Sequence, residues 1–336
     1  MITMKEIAGE AGLSRFTVSK IFNGNLQVKS RSREKVMAIC EKHGYAPNNN
    51  AVSLVKGKTM MIGMIVPYIT DDFYNEIIEL TEELAAAKGY QLIYKSSYND
   101  AQKEADVIKN FMALKVCALI IVPVVCNPNM HIHALAAKHI PVIYLDRPLL
   151  KNSRDMYNVL NDNEQSGYDM TEYLIKKKKK PAYMGSFYGE TNITAELRRK
   201  GYLEAMKKHS LKPFLIPTEF SAQKQDNEIY GYENMVHLLK NTSPPDAVFC
   251  VTDAVALGVS RAVREAGFVP GKDIAIAGHD NLRFSSYVTP SLTTMKQPKL
   301  LLSKTCIEIA DQLIRHQTVS KKKYVFHSEL LVRESA

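Results

Sequence analysis

Met4, Ile7, Ala8 and Ala11 recur at i, i+3, i+4 and i+7, the apolar stripe of an amphipathic helix. Thr3 stands before the stripe as an N-cap, and Gly12 follows it as the residue that ends the turn. Ser14 then caps a second helix, with Leu13 before it as an apolar staple and Val18, Ile21 and Phe22 on one face. A third helix is predicted over roughly 31–43, burying Val36 and Ile39 and ending at Gly44. Two helices joined by a glycine-containing turn and followed by a third make a helix-turn-helix unit. The next stretch, "YAPNNNAVSLVKGK" (45–58), carries Pro47, three asparagines and Gly57, the punctuation of a linker around a weakly helical "NAVSLV".

From Met60 the period changes. Short apolar runs, "MIGMIV", "QLIYK", "ALIIV", "PVIYL", "NVLN", "PAYMG", "AVFCV" and "IAIAG", alternate with helical stretches such as 73–88, 101–114, 195–208 and 254–266. Nearly continuous apolar strands separated by helices predict parallel sheets covered on both faces. So long a stretch exceeds one comfortable sheet, and two α/β lobes are expected, with a break near 157–161 and a recrossing near 291–297. The expected boundaries are a helical domain at 1–46, a hinge or linker at 47–58 and a core at 59–336. Within the core, one lobe takes about 60–158 and 291–322, the other about 159–290 and 323–336.

Charge sharpens this division. Of the net +9, residues 1–59 hold +6, from ten Lys or Arg against four Glu, which points to a polyanion-binding module. The five cysteines form no Cys-x-x-Cys pair and sit mostly in apolar runs, as buried thiols of a reducing compartment do. The start has no apolar run of the signal-peptide kind, and no stretch has the length of a membrane span, so a cytoplasmic protein is expected. "KKKKKP" (176–181) reads as a solvated helix C-terminus. "KGKTMMIG" lacks the glycine a P-loop needs where Val52 stands. No catalytic, metal or cofactor motif is found.

The second helix holds Arg15, Phe16, Ser19 and Lys20 away from its buried face. In a helix-turn-helix this helix enters the DNA major groove. Arg15 and Lys20 suit guanine edges and Phe16 a thymine methyl, while Thr17, Ser19 and Asn23 reach phosphates and Ser14 opens the contacting turn. In the core, polar residues follow the strands directly: Asp146 and Arg147 after "PVIYL", Thr252 and Asp253 after "AVFCV", His279 and Asp280 after "IAIAG". Open α/β sheets bind ligands beyond these carboxyl ends. Asp146 and Asp280 are candidates to accept paired hydroxyls, whereas Asp253 fits better as a helix cap.

The stretches "MKEIAGEAGLSRFTVSKIFNG", "SLVKGKTMMIGMIVP", "PVIYLDRP", "TDAVALGVSRAVREAGFVPGKDIAIAGHDN", "PSLTTMKQP" and "ELLVRES" together resemble the LacI/GalR family of bacterial repressors, in order along essentially the whole chain. The resemblance implies a helix-turn-helix, a hinge helix and a two-lobed core like that of periplasmic sugar-binding proteins. It also implies homodimers on pseudo-palindromic operators that answer to a small molecule, often a sugar or nucleobase. Base reading falls on Arg15, Phe16 and Lys20, the last usually arginine in the family, so a point charge replaces a bidentate fork. The minor-groove wedge falls on Leu54, with Val52 where many members have arginine. The effector positions fall on Phe73, Asp146, Arg147, Arg198, Phe220, Thr252 and Asp280. Thr252 replaces a frequent asparagine, and Asp71-Asp72 replaces the usual Asn-Pro before Phe73. The resemblance therefore predicts a cytoplasmic, nucleoid-associated bacterial repressor with a sugar effector, no cofactor and no enzymatic activity. The chain ends soon after "ELLVRES", without the heptad helix of a tetramer, so a dimer is expected. A transporter's solute-binding protein and a sugar-processing enzyme using Asp146 and Asp280 are the competing readings; the basic N-terminal module and the missing nucleophile argue against them.

Overall fold

The computed structural model describes residues 2–22, 28–45, 59–124, 129–148, 156–177, 179–186, 192–217 and 227–336. Asn23, Leu54 and Phe220, together with the 47–58 hinge expected from the sequence, lie outside them. The chain divides into two compact units, Met1–Thr59 and Met60–Ala336.

The first unit holds α1 (Met4–Ala11), α2 (Arg15–Phe22) and α3 (Ser30–Lys42). Thr3 and Glu6 form a reciprocal capping box at the start of α1, and Gly12 ends it in the left-handed region at φ 66°. Ile7, Ala8, Ala11, Val18, Ile21, Val36, Ile39 and Cys40 form the core that fixes α2 against its neighbours. Glu10 ties α1 to the end of α3 through Lys42 Nζ and His43 Nε2, each at 2.9 Å.

The second unit contains two six-stranded sheets. The first runs through β1 (Met61–Val66), β2 (Gln91–Ser96), β3 (Ala118–Ile121), β4 (Val142–Leu145), β5 (Tyr157–Asn161) and β11 (Lys323–Phe326), in the spatial order β11-β5-β4-β3-β1-β2. The second runs through β6 (Pro181–Met184), β7 (Phe214–Leu215), β8 (Ala247–Cys250), β9 (Ala275–His279), β10 (Thr293–Lys296) and β12 (Glu329–Leu331), in the order β12-β10-β9-β8-β6-β7. All pairs are parallel except β10 with β12. Alternation along β1 shows both faces covered. Ile62, Met64 and Val66 pack with Ile77 and Ile307, whereas Ile65 packs with Ile108 and Phe111.

The pairing corrects the expected lobe boundaries. "YNVLN" is β5 of the first sheet, so the first lobe runs through this stretch to Asn161. "TTMK" pairs with β9 and belongs to the second lobe, so the chain recrosses after Gln297 rather than at Ser291. Lys323–Phe326 pairs with β5 and so stays in the first lobe, where the second was expected, before β12 crosses to the second. A strand's membership is decided by its hydrogen-bonding partner, which local periodicity does not encode.

Helices α4 (Asp72–Ala87), α5 (Ala101–Ala113), α6 (Met130–His139) and α11 (Lys299–Ile314) contact the first sheet or each other. The second lobe carries α7 (Asn163–Lys176), α8 (Ile193–Lys208), α9 (Asn227–Asn241) and α10 (Asp253–Glu265). Here α7 crosses α8, and α9 crosses α10, at paired glycines. A Cβ on Gly167 or Gly201 would overlap the backbone of Arg198 or Glu164, and one on Gly231 or Gly258 that of Val255 or Glu228. The first crossing brings Arg198 to the ligand-facing end of the second sheet.

Candidate nucleic-acid interface and ligand cleft

In the first unit, Ser14 accepts the Thr17 N–H at 3.1 Å, and the two hydroxyls lie 2.9 Å apart, so Ser14 caps the start of α2. With Val18 and Ile21 buried, Arg15 and Phe16 project outward; Phe16 is 69% exposed. Lys20 stands one turn on, its Nζ 4.6 Å from the centre of the Phe16 ring. Ser19 is half-buried beside them. The structure thus brings Ser14, Arg15, Phe16, Thr17, Ser19 and Lys20 onto one short stretch. An exposed ring and two cations on a helix this small are placed for contact, since packing does not require them there.

In the second unit the carboxyl ends of both sheets face one cleft. Asp146 follows β4 and Asp280 follows β9, and the two positions are built alike. Asp146 N donates to Val159 O and Asp280 N to Met295 O, each at 2.9 Å, extending the parallel ladder by one bond. Each then turns out of the strand at positive φ, 65° and 115° respectively, a conformation that costs free energy in a non-glycine residue.

Arg198, on α8, reaches the same cleft. Its Nε donates to Asn163 Oδ1 at 2.8 Å and Nη1 to Val251 O at 2.6 Å, while Nη2 is 3.4 Å from Asp280 Oδ1. Asp280 also accepts from Gln297 Nε2 at 2.7 Å and sits 3.0 Å from His279 Nδ1. Burial works against its charge, but Arg198 and these hydrogen bonds hold the Asp280 carboxyl below the ordinary range. Burial and then Arg198 push His279 down to about 4, so the ring is neutral with Nδ1–H directed at Asp280. Asp146 accepts the Tyr74 hydroxyl at 3.0 Å, and burial raises its pKa despite Arg147 and Arg198. Arg147 Nη1 donates to Asn99 at 2.8 Å. Asp146 Oδ1, Arg147 Nε and Gln297 Oε1 are buried and have no hydrogen-bond partner among the described residues.

Phe73 lines the cleft, buried, with its ring edge-on to Tyr74 at 5.2 Å. Thr252 also lines it, and corrects one expectation: Thr252, not Asp253, caps α10, accepting the Val255 N–H at 3.2 Å. Asp253 is fully buried and accepts from Leu282 N, Ser285 Oγ and Thr294 Oγ1, locking the second lobe together.

Sequence reasoning missed Tyr68, Asp71, Tyr74, Asn192, Thr194, Asn227 and Gln297 as cleft residues. Gln297 closes the "MKQP" turn after a strand that the pattern did not reveal. Asp71 was visible only as a departure; its side chain caps α4 through the Phe73 N–H at 2.9 Å, and burial followed by Asp280 pushes it up to about 7.

A basic helix-turn-helix unit on a two-lobed binding core defines a DNA-binding regulator of bacterial type, and the comparisons place it. Residues 3–48 match the model for bacterial regulatory proteins of the lacI family, and residues 62–317 match a periplasmic binding protein domain. The chain is 30% identical over 338 residues to the ribose operon repressor of Escherichia coli K12, with all of both chains covered. It is 28% identical over 339 residues to the probable HTH-type transcriptional repressor ExuR of Bacillus subtilis, covering 100% of this chain and 98% of that one. A lac repressor dimer bound to operator and an anti-inducer has a TM-score of 0.85 at 24% identity, covering 99% of this chain and 98% of that one. The chain belongs to the lacI family of bacterial regulatory proteins, and it is a transcriptional regulator whose relatives are repressors rather than enzymes.

Proposed function

We propose that this regulator is a cytoplasmic homodimer that represses from a pseudo-palindromic operator and is controlled by a sugar held between the lobes of its core. The observation that carries the effector reading is the set of unpartnered buried atoms, Asp146 Oδ1, Arg147 Nε and Gln297 Oε1, on side chains that line the cleft. Buried polar atoms without partners are costly, and a molecule with several hydroxyls supplies both donors and acceptors to them. Arg198, Asp146 and Asp280 grip the hydroxyls, while Phe73 and Tyr74 supply apolar surface and Thr252 a hydroxyl at the wall. Phe220 is assigned the covering ring by resemblance alone. Relatives point the same way: one is named a ribose operon repressor, and a periplasmic binding protein/LacI transcriptional regulator from Alkaliphilus metalliredigens, 25% identical with a TM-score of 0.69, was solved in complex with D-xylulofuranose.

On the DNA side, Arg15, Phe16 and Lys20 read base edges, Ser14, Thr17, Ser19 and Asn23 position the helix on phosphates, and Leu54 wedges the minor groove. No helix among the described residues is long and apolar enough to cross a membrane. A thermal-shift screen of the full chain against pentoses, hexoses and nucleobases tests the effector reading. A sugar at 100 times its Kd stabilises by about 2.7 kcal/mol. It is expected to change affinity for an operator selected from a random pool. A response to nucleobases and to no sugar refutes it.

A further inference from the structure

The charge around the cleft is lopsided. Although the chain carries a net +9, Asp71, Asp146, Glu228 and Asp280 line the cleft against only Arg147 and Arg198 among the described residues. Exposed Asp72 stands at the same rim. Arg198 is engaged by Asn163, Val251 O and Asp280, and Arg147 gives Nη1 to Asn99 while its Nε has no partner among the described residues. Asp71 has no cation within ion-pair distance among the described residues; its Oδ1 accepts the Phe73 N–H. Of the three buried cleft atoms without a hydrogen-bond partner among the described residues, Asp146 Oδ1 and Gln297 Oε1 are acceptors, on side chains only 4% and 2% exposed, and Arg147 Nε alone is a donor. A ligand that completes this wall brings donors, and one that balances it brings positive charge. A uronate or a sugar phosphate adds negative charge instead.

Resting on the sugar reading above, we propose that the effector is an amino sugar, a polyol whose protonated amine lies against Asp71 while its hydroxyls fill the Asp146–Gln297 side. An ammonium carries three donors and a charge on one atom, and in a half-enclosed site opposite charges interact far more strongly than in water. The Asp71 carboxylate then discriminates between ligands as well as capping α4.

The test is calorimetric titration of the full chain at pH 7 with matched sugars: D-glucose, D-glucosamine, N-acetyl-D-glucosamine and D-glucuronate, and the same four in the galacto series. In at least one series the amine is expected to bind tenfold or more tighter than its parent. The N-acetyl form, which keeps the nitrogen and loses the charge, is expected to fall back to the parent or below. Asp71→Asn keeps an acceptor for the cap, and it is expected to bring the amine-to-parent ratio close to one. A parent sugar or uronate that binds as tightly as the amine overturns the proposal and leaves the sugar reading intact. An undiminished amine preference in Asp71→Asn overturns the assignment to that carboxylate; the wild-type ratios hold whether or not the variant folds. Binding of nucleobases and of no sugar, here or in the wider screen, overturns both.

Discussion

Arg198 and Asp280 meet 3.4 Å apart, Nη2 to Oδ1, with both side chains almost wholly buried and both anchored in the same lobe. The pair is therefore built before any ligand arrives. Its partners, Asn163 on α7, Val251 after β8 and Gln297 after β10, tie a helix and two strand ends to one guanidinium–carboxylate centre.

Removing half of that pair has two consequences. Arg198→Ala leaves Asp280 buried beside no cation, which costs about 3–5 kcal/mol where a buried pair is broken. A large drop in the thermal midpoint of the core is expected, with loss of the ligand-induced shift. A full effector response in Arg198→Ala would remove Arg198 from the binding site.

His279 sets a pH dependence of known sign. Its pKa lies near 4 in the native state, below the ordinary 6.5. Between those values the unfolded chain binds a proton that the native chain does not. Stability from this group is thus complete above about pH 6.5 and is lost as pH falls toward 4, by up to about 1.4 kcal/mol per pH unit. Asp71 and Asp146, whose pKa values are raised, work in the opposite direction. Urea unfolding of wild type and His279→Gln at pH 7 and pH 4.5 isolates the histidine, because the carboxylates are common to both. The wild-type advantage is expected to shrink at the lower pH; a constant difference counts against a neutral His279.

Thr252 and Asp253 are neighbours with different work. Thr252→Ala removes an N-cap, worth about 1 kcal/mol. Asp253→Ala strips the acceptor from Leu282 N, Ser285 Oγ and Thr294 Oγ1, and each buried unpaired group costs about 1–3 kcal/mol. Denaturant midpoints are expected to rank Asp253→Ala well below Thr252→Ala, and the reverse order would return the cap to Asp253.

The α2 face separates stability from recognition. Phe16 is 69% exposed, so Phe16→Ala is expected to change unfolding free energy by less than about 0.5 kcal/mol. Fluorescence anisotropy should nevertheless show weakened binding to a selected operator. Lys20→Ala is expected to cost about 1–3 kcal/mol at a guanine and to relax base preference there. Equal weakening on operator and random DNA would confine Lys20 to phosphate contact.

What the chain's own pattern determined was local. The stripe of Met4, Ile7, Ala8 and Ala11, the caps at Thr3 and Ser14 and the stop at Gly12 fix three helices within a few residues, because helix ends and apolar periodicity are written in neighbouring side chains. The outward set of α2 followed from the same spacing. The apolar runs marked eight strands for the same reason, and the acids that end two of them, Asp146 and Asp280, were visible as polar residues placed directly after β4 and β9. Three of the four edge strands were not visible: Phe214–Leu215, Lys323–Phe326 and Glu329–Leu331 are short and exposed or partly exposed, so no continuous apolar run announces them. Tertiary structure alone decided which sheet each strand joined, since a parallel ladder is made with a partner distant in sequence. It likewise decided that Thr252 caps while Asp253 clamps, because the Asp253 donors come from residues 282, 285 and 294. The cleft depends on the same long-range pairing: Asp71, Tyr74, Arg198 and Gln297 share a wall only because two sheets end side by side, and the partners each side chain meets there, Arg198 and Gln297 at Asp280 but a second carboxylate at Asp71, set which of their charges persist against burial.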